Sequence, residues 1–407
     1  MFMKAPKLEM PGKLTTITGP NKSGKTLQLL NEIQGFTKGS QLRAQVFAAG
    51  HIAEEQRAEI VISDHDQLKS HEGTFIENAV DIFEHLGQDT SVIGIDRANL
   101  LGKEIIDVVQ TLRARGYQVF VAGNNMNTRL EPYVLNGNLD HTFGDVICIS
   151  DETKILTAQC VYSGRTDARY SMLRNDDIVA TVLDNHPQKT EFIQSESCDV
   201  NILRQEGSIR IICGPMGSNK TTTMLGHLSK VVESSVLFKP VLDTRGEQTI
   251  ITDHTGKISA NAVMISRAEQ MLSNIPFGAR NIFVDEFFML DDGLTGVLQL
   301  LRARGYQVTL SGLNTDFRME PFKFQNSTRS TGELFAIADE VDFLKSKHVY
   351  QNATGEWRFE DAGFTTRLNN AGDQLQVGGF DLYSSVSITG HPMREVFAND
   401  SRFSFPK

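Results

Sequence analysis

Two adjacent carboxylates, Asp285 and Glu286, close the short apolar run Asn281-Ile-Phe-Val-Asp-Glu286. Acidic side chains delivered at the end of a buried strand can hold a divalent cation and accept a proton. Upstream stands Gly214-Pro215-Met216-Gly217-Ser218-Asn219-Lys220-Thr221, a glycine-rich turn that runs into a lysine and a hydroxyl. A loop of this kind offers successive backbone N–H groups and a helix N-terminus to phosphate oxygens. Its lysine reaches the terminal phosphates, and its threonine hydroxyl a Mg²⁺ ion. The chemistry these residues suit is the handling of a nucleotide polyphosphate. Taken alone, the carboxylate pair is equally the Mg²⁺-binding strand end of any phosphate-loop ATPase.

A second, altered set lies in the first half. Gly19-Pro-Asn-Lys-Ser-Gly24-Lys25-Thr26 is a complete G-x-x-x-x-G-K-T pattern, and Ile95-Asp96-Arg97 is the corresponding acidic run. Each copy departs from the ideal in a different place. Asn219 stands where Gly24 stands, and asparagine is among the few side chains that visit positive φ readily, so the second loop is weakened without being abolished. Arg97 stands where Glu286 stands. It reads either as a surface residue or as a cationic plug in the place of the second carboxylate.

The elements that must position these residues repeat as well. Leu-Arg-Ala-Arg-Gly-Tyr-Gln-Val occurs at 112–119 and again at 301–308, and the same spacing relates Asp96 to Asp285. An eight-residue identity of this sort marks a duplication. Each copy reads as α/β: a β-rich strand (13–18, 208–213), the loop, a helix (26 to about 35, 221 to about 232), then further strands at 44–48, 92–95 and 118–122, matched by 235–238, 282–284 and 307–310. Gly116 and Gly305 fall where a C-cap glycine ends the helix before the last of these strands. Alternating strands and helices predict mainly parallel sheets whose ligands bind at the carboxyl ends of the strands. The expected domains are 1–200 and 201–407, with the polar stretch 175–207, which carries Pro187, as linker.

A chain of 407 residues fits two domains, and the formal net charge of −10 argues against a general nucleic-acid or membrane-surface binder. No long apolar run predicts a membrane span, and the N-terminus has no signal-peptide core. Cys148, Cys160, Cys198 and Cys213 form no C-x-x-C pair, which suits a reducing, cytoplasmic setting.

Taken together in order, the motifs of the second half resemble the type II thymidine kinases. The Gly214-Pro-Met opening, Lys220-Thr221 and Val284-Asp-Glu-Phe-Phe288 are similar to that family's phosphate loop and acidic strand. Phe238-Lys-Pro-Val-Leu-Asp243-Thr-Arg245, Leu313-Asn-Thr-Asp-Phe317-Arg-Met-Glu-Pro-Phe322, Ala362-Gly-Phe-Thr-Thr-Arg367-Leu and Val377-Gly378-Gly379-Phe-Asp-Leu-Tyr383 resemble further family segments. The resemblance implies two tandem phosphate-loop (RecA-like) domains, each with a small C-terminal lasso-type subdomain. It implies ATP and Mg²⁺ as cofactors, with Thr221 and Asp285 at the metal and Glu286 as the base that takes the nucleoside 5′-hydroxyl proton. Arg245 and Asp243 would lie near the phosphates, and Phe317, Phe322, Gly378, Gly379 and Tyr383 around a pyrimidine. The expected activity is thymidine or deoxyuridine phosphorylation in the second half. The first half is then structural or regulatory, since it lacks the Glu, the Asp-x-Arg segment and the Gly-Gly-x-Asp-x-Tyr segment. The alternative is a catalytically inactive nucleotide-binding or scaffold protein on the same fold. The family's four-cysteine zinc site lacks its cysteines here, so no zinc is expected, and packing around Trp357 and Phe359 is expected to replace it. The resemblance also implies a homo-oligomer, a dimer of the fused chain imitating a tetramer of single domains.

Overall fold

Apolar and β-branched residues fill the runs Lys13–Thr18 and Ser208–Cys213, and both are strands buried along most of their length. Continuous apolar runs are what strands covered on both faces require. In the computed structural model, residues 11–50, 60–64, 67–71, 73–135, 140–159, 166, 168–173, 192–194, 207–245, 249–253, 256–351, 354–368, 374–379 and 381–403 are described. In the first unit the strands are β1 (Lys13–Thr18), β2 (Arg43–Ala49), β3 (Gly73–Ile76), β4 (Thr90–Asp96), β5 (Gln118–Gly123) and β6 (Glu152–Ile155). They form one parallel sheet in the order β3-β2-β4-β5-β1-β6. The second unit repeats it with β7 (Ser208–Cys213), β8 (Ser235–Pro240), β9 (Val263–Ile265), β10 (Asn281–Asp285), β11 (Gln307–Gly312) and β12 (Glu340–Phe343), in the order β9-β8-β10-β11-β7-β12. The α/β fold is therefore doubled, sheet for sheet.

Helices seal the sheets. After each phosphate loop, α1 (Lys25–Thr37) buries Leu29, Leu30 and Ile33 against Ile17, Val46 and Phe120. Its counterpart α3 (Lys220–Leu228) buries Met224, Leu225 and Leu228 against Ile212, Leu237 and Phe283. Each such side chain contributes about 1.5–3 kcal/mol of burial free energy, which anchors the helix start where the loop needs it. The helices before the last repeated strands, α2 (Glu104–Ala114) and α4 (Gly293–Ala303), precede Gly116 at φ 98° and Gly305 at φ 86°. These left-handed residues turn the chain from helix into strand.

The repeated octapeptide has a structural explanation. Arg113 is buried and donates to the carbonyl of Ile149 at 2.7 Å and to Asp151 at 3.4 Å, while Asp151 accepts the Leu14 N–H at 2.8 Å. In the second unit Arg302 donates to Ile337 O at 2.7 Å and lies 3.7 Å from Asp339, which accepts the Ile209 N–H at 2.8 Å. One buried guanidinium in each unit thus ties a helix, a chain turn and the first residues of the phosphate-loop strand together.

The chain divides into Met1–Val200 with Arg394–Lys407 as one unit and Asn201–Met393 as the other. The last segment thus falls with the first unit, where the sequence reading had kept it with the second. Its attachment is specific: Arg115 donates to Ala398 O at 3.0 Å and Phe403 O at 2.7 Å, and Phe403 stacks on Phe83 at 5.2 Å. No local pattern in the tail announces a partner so distant in sequence. The linker stretch 175–207 lies, apart from Phe192–Gln194 and Gly207, outside the described residues.

Small antiparallel pairs complete each unit. In the first, Ser171–Leu173 pairs with Phe192–Gln194. In the second, β13 (Ser346–Gln351) pairs with β14 (Trp357–Ala362), and β15 (Phe364–Arg367) with β16 (Tyr383–Val386). Trp357 and Phe359 do not pack this subdomain as expected; they are 63% and 71% exposed. Polar cross-strand pairs hold the first hairpin instead, with Lys347 on Asp361 and His348 on Glu360 at 3.0 Å. Among the described residues no helix is long and apolar enough to cross a membrane. Because Arg302 is a buried partner of Asp339, Arg302→Ala is expected to destabilise the second unit by about 3–5 kcal/mol. The loss should register as reduced hydrogen-exchange protection across β7; unchanged protection at Ile209 would refute the tie.

Candidate active site

Sheet register sets the site. Asp285 pairs with Ser311 of β11, and Ser311 pairs with Ile212 of β7, so the acidic strand end comes level with the residues just before the loop at Gly214. Asp285 and Glu286 are both buried. Thr221, at the start of α3, donates to Asp285 Oδ2 at 3.4 Å. Lys220 is buried and folds back to donate to Pro215 O at 2.7 Å. Burial lowers its pKa, against the pull of Glu286 and Asp285. Burial first, then the Glu286 carboxylate beside it, pushes the Asp285 carboxyl upward.

The loop is strained where its sequence departs from pattern. Asn219 sits in the left-handed region at φ 63°, as Gly24 does at φ 77° in the first unit. The left-handed backbone is a cost that asparagine bears well. Gly214 is less replaceable: at φ 150°, a Cβ would lie 2.3 Å from Leu344 O. The Ser218 hydroxyl, buried in the same loop, has no hydrogen-bond partner among the described residues. Gly217 is left-handed at φ 70°.

The small antiparallel subdomain grips the loop from outside. Thr365 Oγ1 accepts the Met216 N–H at 3.0 Å, and the Ser385 hydroxyl donates to Met216 O. The first unit does the same with Ser171, whose hydroxyl accepts the Asn21 N–H at 2.7 Å. Sequence reasoning missed Thr365 and Ser385 as loop contacts because their side chains meet Met216 from more than a hundred residues away.

Arg245, expected near the phosphates, is bound to Glu286 and Asp243. It donates to Asp243 Oδ1 at 2.7 Å and to Glu286 Oε1, and Lys239 lies 3.3 Å from Asp243 Oδ2. The Glu286 charge, foremost, raises the Arg245 pKa still further. Burial alone would raise Asp243, but the hydrogen bond and charge of Arg245 outweigh it and hold this carboxyl below the usual range. Two carboxylate oxygens are left over. Asp285 Oδ1 and Glu286 Oε2, both buried, have no hydrogen-bond partner among the described residues. The Asp285 carboxylate beside the Thr221 hydroxyl fits a Mg²⁺ ion, which prefers carboxylate and hydroxyl or water oxygens, and leaves Glu286 Oε2 for other work.

Arg245, which binds Glu286, also lines a shallow cleft. Met216, Arg245, Phe317, Phe322, Gly378 and Tyr383 are among its walls. Phe322 is buried and packs on Phe288 at 4.5 Å, so it serves the core and the cleft wall at once. Arg367 lies over the Phe317 ring at 4.0 Å and donates to Tyr383 OH at 3.0 Å, and that hydroxyl donates to Gln376 O at 2.7 Å. Gln374, not singled out in the sequence, bridges Asp316 Oδ2 at 3.1 Å and Pro321 O at 3.2 Å. Gly379 stands at the turn that ends this loop, its N–H donating to Asp381 Oδ1 at 3.0 Å.

In the first unit, Lys25 donates to Pro20 O and Thr26 donates to Asp96 at 3.0 and 3.1 Å. Burial pushes Lys25 down to about 8 against the pull of Asp96. Gly19 repeats the geometry of Gly214, with φ 146° and Leu156 O at 2.4 Å from a built Cβ.

Fold and site together define a tandem phosphate-loop α/β protein in which one unit retains paired carboxylates and the other does not. The family model described as thymidine kinase matches residues 12–186 and 207–390, one match in each unit. The chain belongs to the thymidine kinase family. Because the residue before α3 must be left-handed, Asn219→Val is expected to destabilise the second unit by roughly 1–3 kcal/mol, whereas Asn219→Gly shifts it by only a few tenths of about a kcal/mol. Thermal unfolding of the two variants checks this, and equal melting temperatures would refute it.

Proposed function

We propose that the second unit transfers the γ-phosphoryl group of ATP to the 5′-hydroxyl of thymidine or deoxyuridine, and that the first unit is structural or regulatory. The observation that carries this reading is the divided bonding of Glu286: Oε1 is held by Arg245, itself a wall of the cleft, while Oε2 has no hydrogen-bond partner among the described residues. A carboxylate oriented through one oxygen keeps the other free to accept a proton. Phosphoryl transfer is mostly positioning and charge neutralisation, which the surrounding residues suit.

In this reading the nucleoside lies in the cleft, its base between the Phe317–Arg367–Tyr383 wall and the loop at Gly378 and Gly379. Glu286 Oε2 takes the 5′-hydroxyl proton as that oxygen bonds to the γ-phosphorus. The bond from the γ-phosphorus to the bridging oxygen breaks, and its electron pair leaves with ADP. Lys220 and the loop N–H groups other than those of Met216 and Ser218, which bond within the protein, hold the phosphates. A Mg²⁺ ion held by Thr221 and Asp285 would neutralise charge on the β- and γ-phosphates. Arg245 fixes Glu286 and shields it electrostatically from Asp285.

Two observations favour a second reading, an inactive nucleotide-binding or scaffold protein: the same Arg245 contact occupies half of the base, and Asn219 departs from the loop pattern. Label transfer from γ-labelled ATP to thymidine separates the two. The kinase reading expects transfer by the intact chain and a loss of about 10²–10⁴-fold in Glu286→Gln. No transfer to thymidine, deoxyuridine or deoxycytidine would establish the inactive reading instead.

A further inference from the structure

The two units differ most at the residue after the acidic strand, and the difference is one of charge on an unchanged backbone. Arg97 has φ 53° and Glu286 φ 49°, each leading from its strand into a short 3₁₀ turn. Arg97 therefore leaves the first sheet in the backbone conformation from which the second unit presents its base. Its guanidinium comes within 3.8 Å of Asp96, which also accepts the Thr26 hydroxyl at 3.0 and 3.1 Å. One carboxylate is thus flanked by the phosphate-loop hydroxyl on one side and by an arginine on the other.

The neighbours change in the same direction. In the second unit Glu286 and Arg245 neutralise each other, and Asp243 neutralises Lys239. In the first unit Ala48 pairs opposite Asp96, whereas the corresponding strand of the second unit carries Lys239 just after Phe238, which pairs with Val284. Lys25 and Arg97 both act on the Asp96 carboxylate. Arg97 keeps 48% of its side chain exposed and lies over the Phe75 ring at 5.8 Å. The loop beneath has the complete glycine pattern, with Gly24 rather than asparagine at the left-handed position.

We infer that the first unit is a non-transferring nucleoside triphosphate site: Lys25, the loop from Gly19 to Thr26 and Asp96 hold a triphosphate with its Mg²⁺, and Arg97, in the place of the base, contacts the terminal phosphate. An arginine at this position cannot accept a substrate proton at neutral pH, because its guanidinium stays charged, but it adds donors suited to phosphate oxygens. The site holds its ligand without consuming it, which makes it a sensor of triphosphate concentration. This inference stands whether or not the second unit transfers phosphate.

The test uses the full chain carrying Lys220→Ala, which disables the second loop, and equilibrium dialysis with labelled ATP and Mg²⁺. One ATP per chain is expected, recovered intact after prolonged incubation. Adding Lys25→Ala should weaken binding by about tenfold or more. Adding Arg97→Ala, a half-exposed position tolerant of substitution, should weaken ATP by about tenfold and ADP much less, since a charge-assisted contact to the last phosphate is lost. Competition by deoxythymidine triphosphate identifies the base that is accepted, and displacement by either triphosphate supports the site. Absence of ATP binding, indifference to Lys25→Ala, equal losses for ATP and ADP in Arg97→Ala, conversion of bound ATP to ADP, or equal displacement by AMP would each overturn it.

Discussion

The feature on which both units depend is a strand that ends in a left-handed residue. Asp96-Arg97 and Asp285-Glu286 each leave a buried parallel strand and turn through positive φ into a short 3₁₀ helix. Holding a non-glycine residue there costs of order 1–3 kcal/mol, and it persists only where the surroundings over-determine it. The buried residues after the turn do so: Phe287, Phe288 and Met289 in one unit, Ala98 and Asn99 in the other. The first side chain of each pair meets the threonine of the phosphate loop, Asp96 with Thr26 and Asp285 with Thr221. Duplication has kept that geometry and exchanged what it presents.

A second constraint is the grip on the loop. Backbone N–H groups cradle phosphate only if the loop keeps its shape, and hydroxyls on the small antiparallel subdomains, Ser171 in one unit and Thr365 in the other, each hold the third loop residue by its N–H. In the second unit the same subdomain carries Arg367 and Tyr383, so the element that fixes the loop also forms a cleft wall. Coupling phosphate loop and cleft through one hairpin means that a ligand ordering one would order the other.

Buried charge is arranged differently in scaffold and site. Arg113 with Asp151, and Arg302 with Asp339, are closed structural ties whose partners include backbone groups of the central strand. The Lys239–Asp243–Arg245–Glu286 chain is open at one end, where Glu286 Oε2 and Asp285 Oδ1 lack partners among the described residues. Closed ties serve stability, and an open end leaves oxygens for a metal, a proton or a ligand.

Much was legible along the chain because it is written in short windows. Strand–loop–helix order, the left-handed positions at Gly24, Gly116 and Gly305, the duplication and the acidic strand end all follow from local patterns, since backbone preference and glycine chemistry act within a few residues. Recognising Asp285 and Glu286 required nothing more. Other features had no local signature. That Arg245 would bind Glu286, that Thr365 would hold Met216, that Trp357 and Phe359 would face outward, and that the tail from Arg394 would fall with the first unit are decided by which side chains the fold brings together. The sequence by itself determined which groups could do chemistry. Only the tertiary structure decided which of them are neutralised by a partner and which remain open, because pairing depends on distance in space, and residues dozens to hundreds of positions apart carry no mark of it.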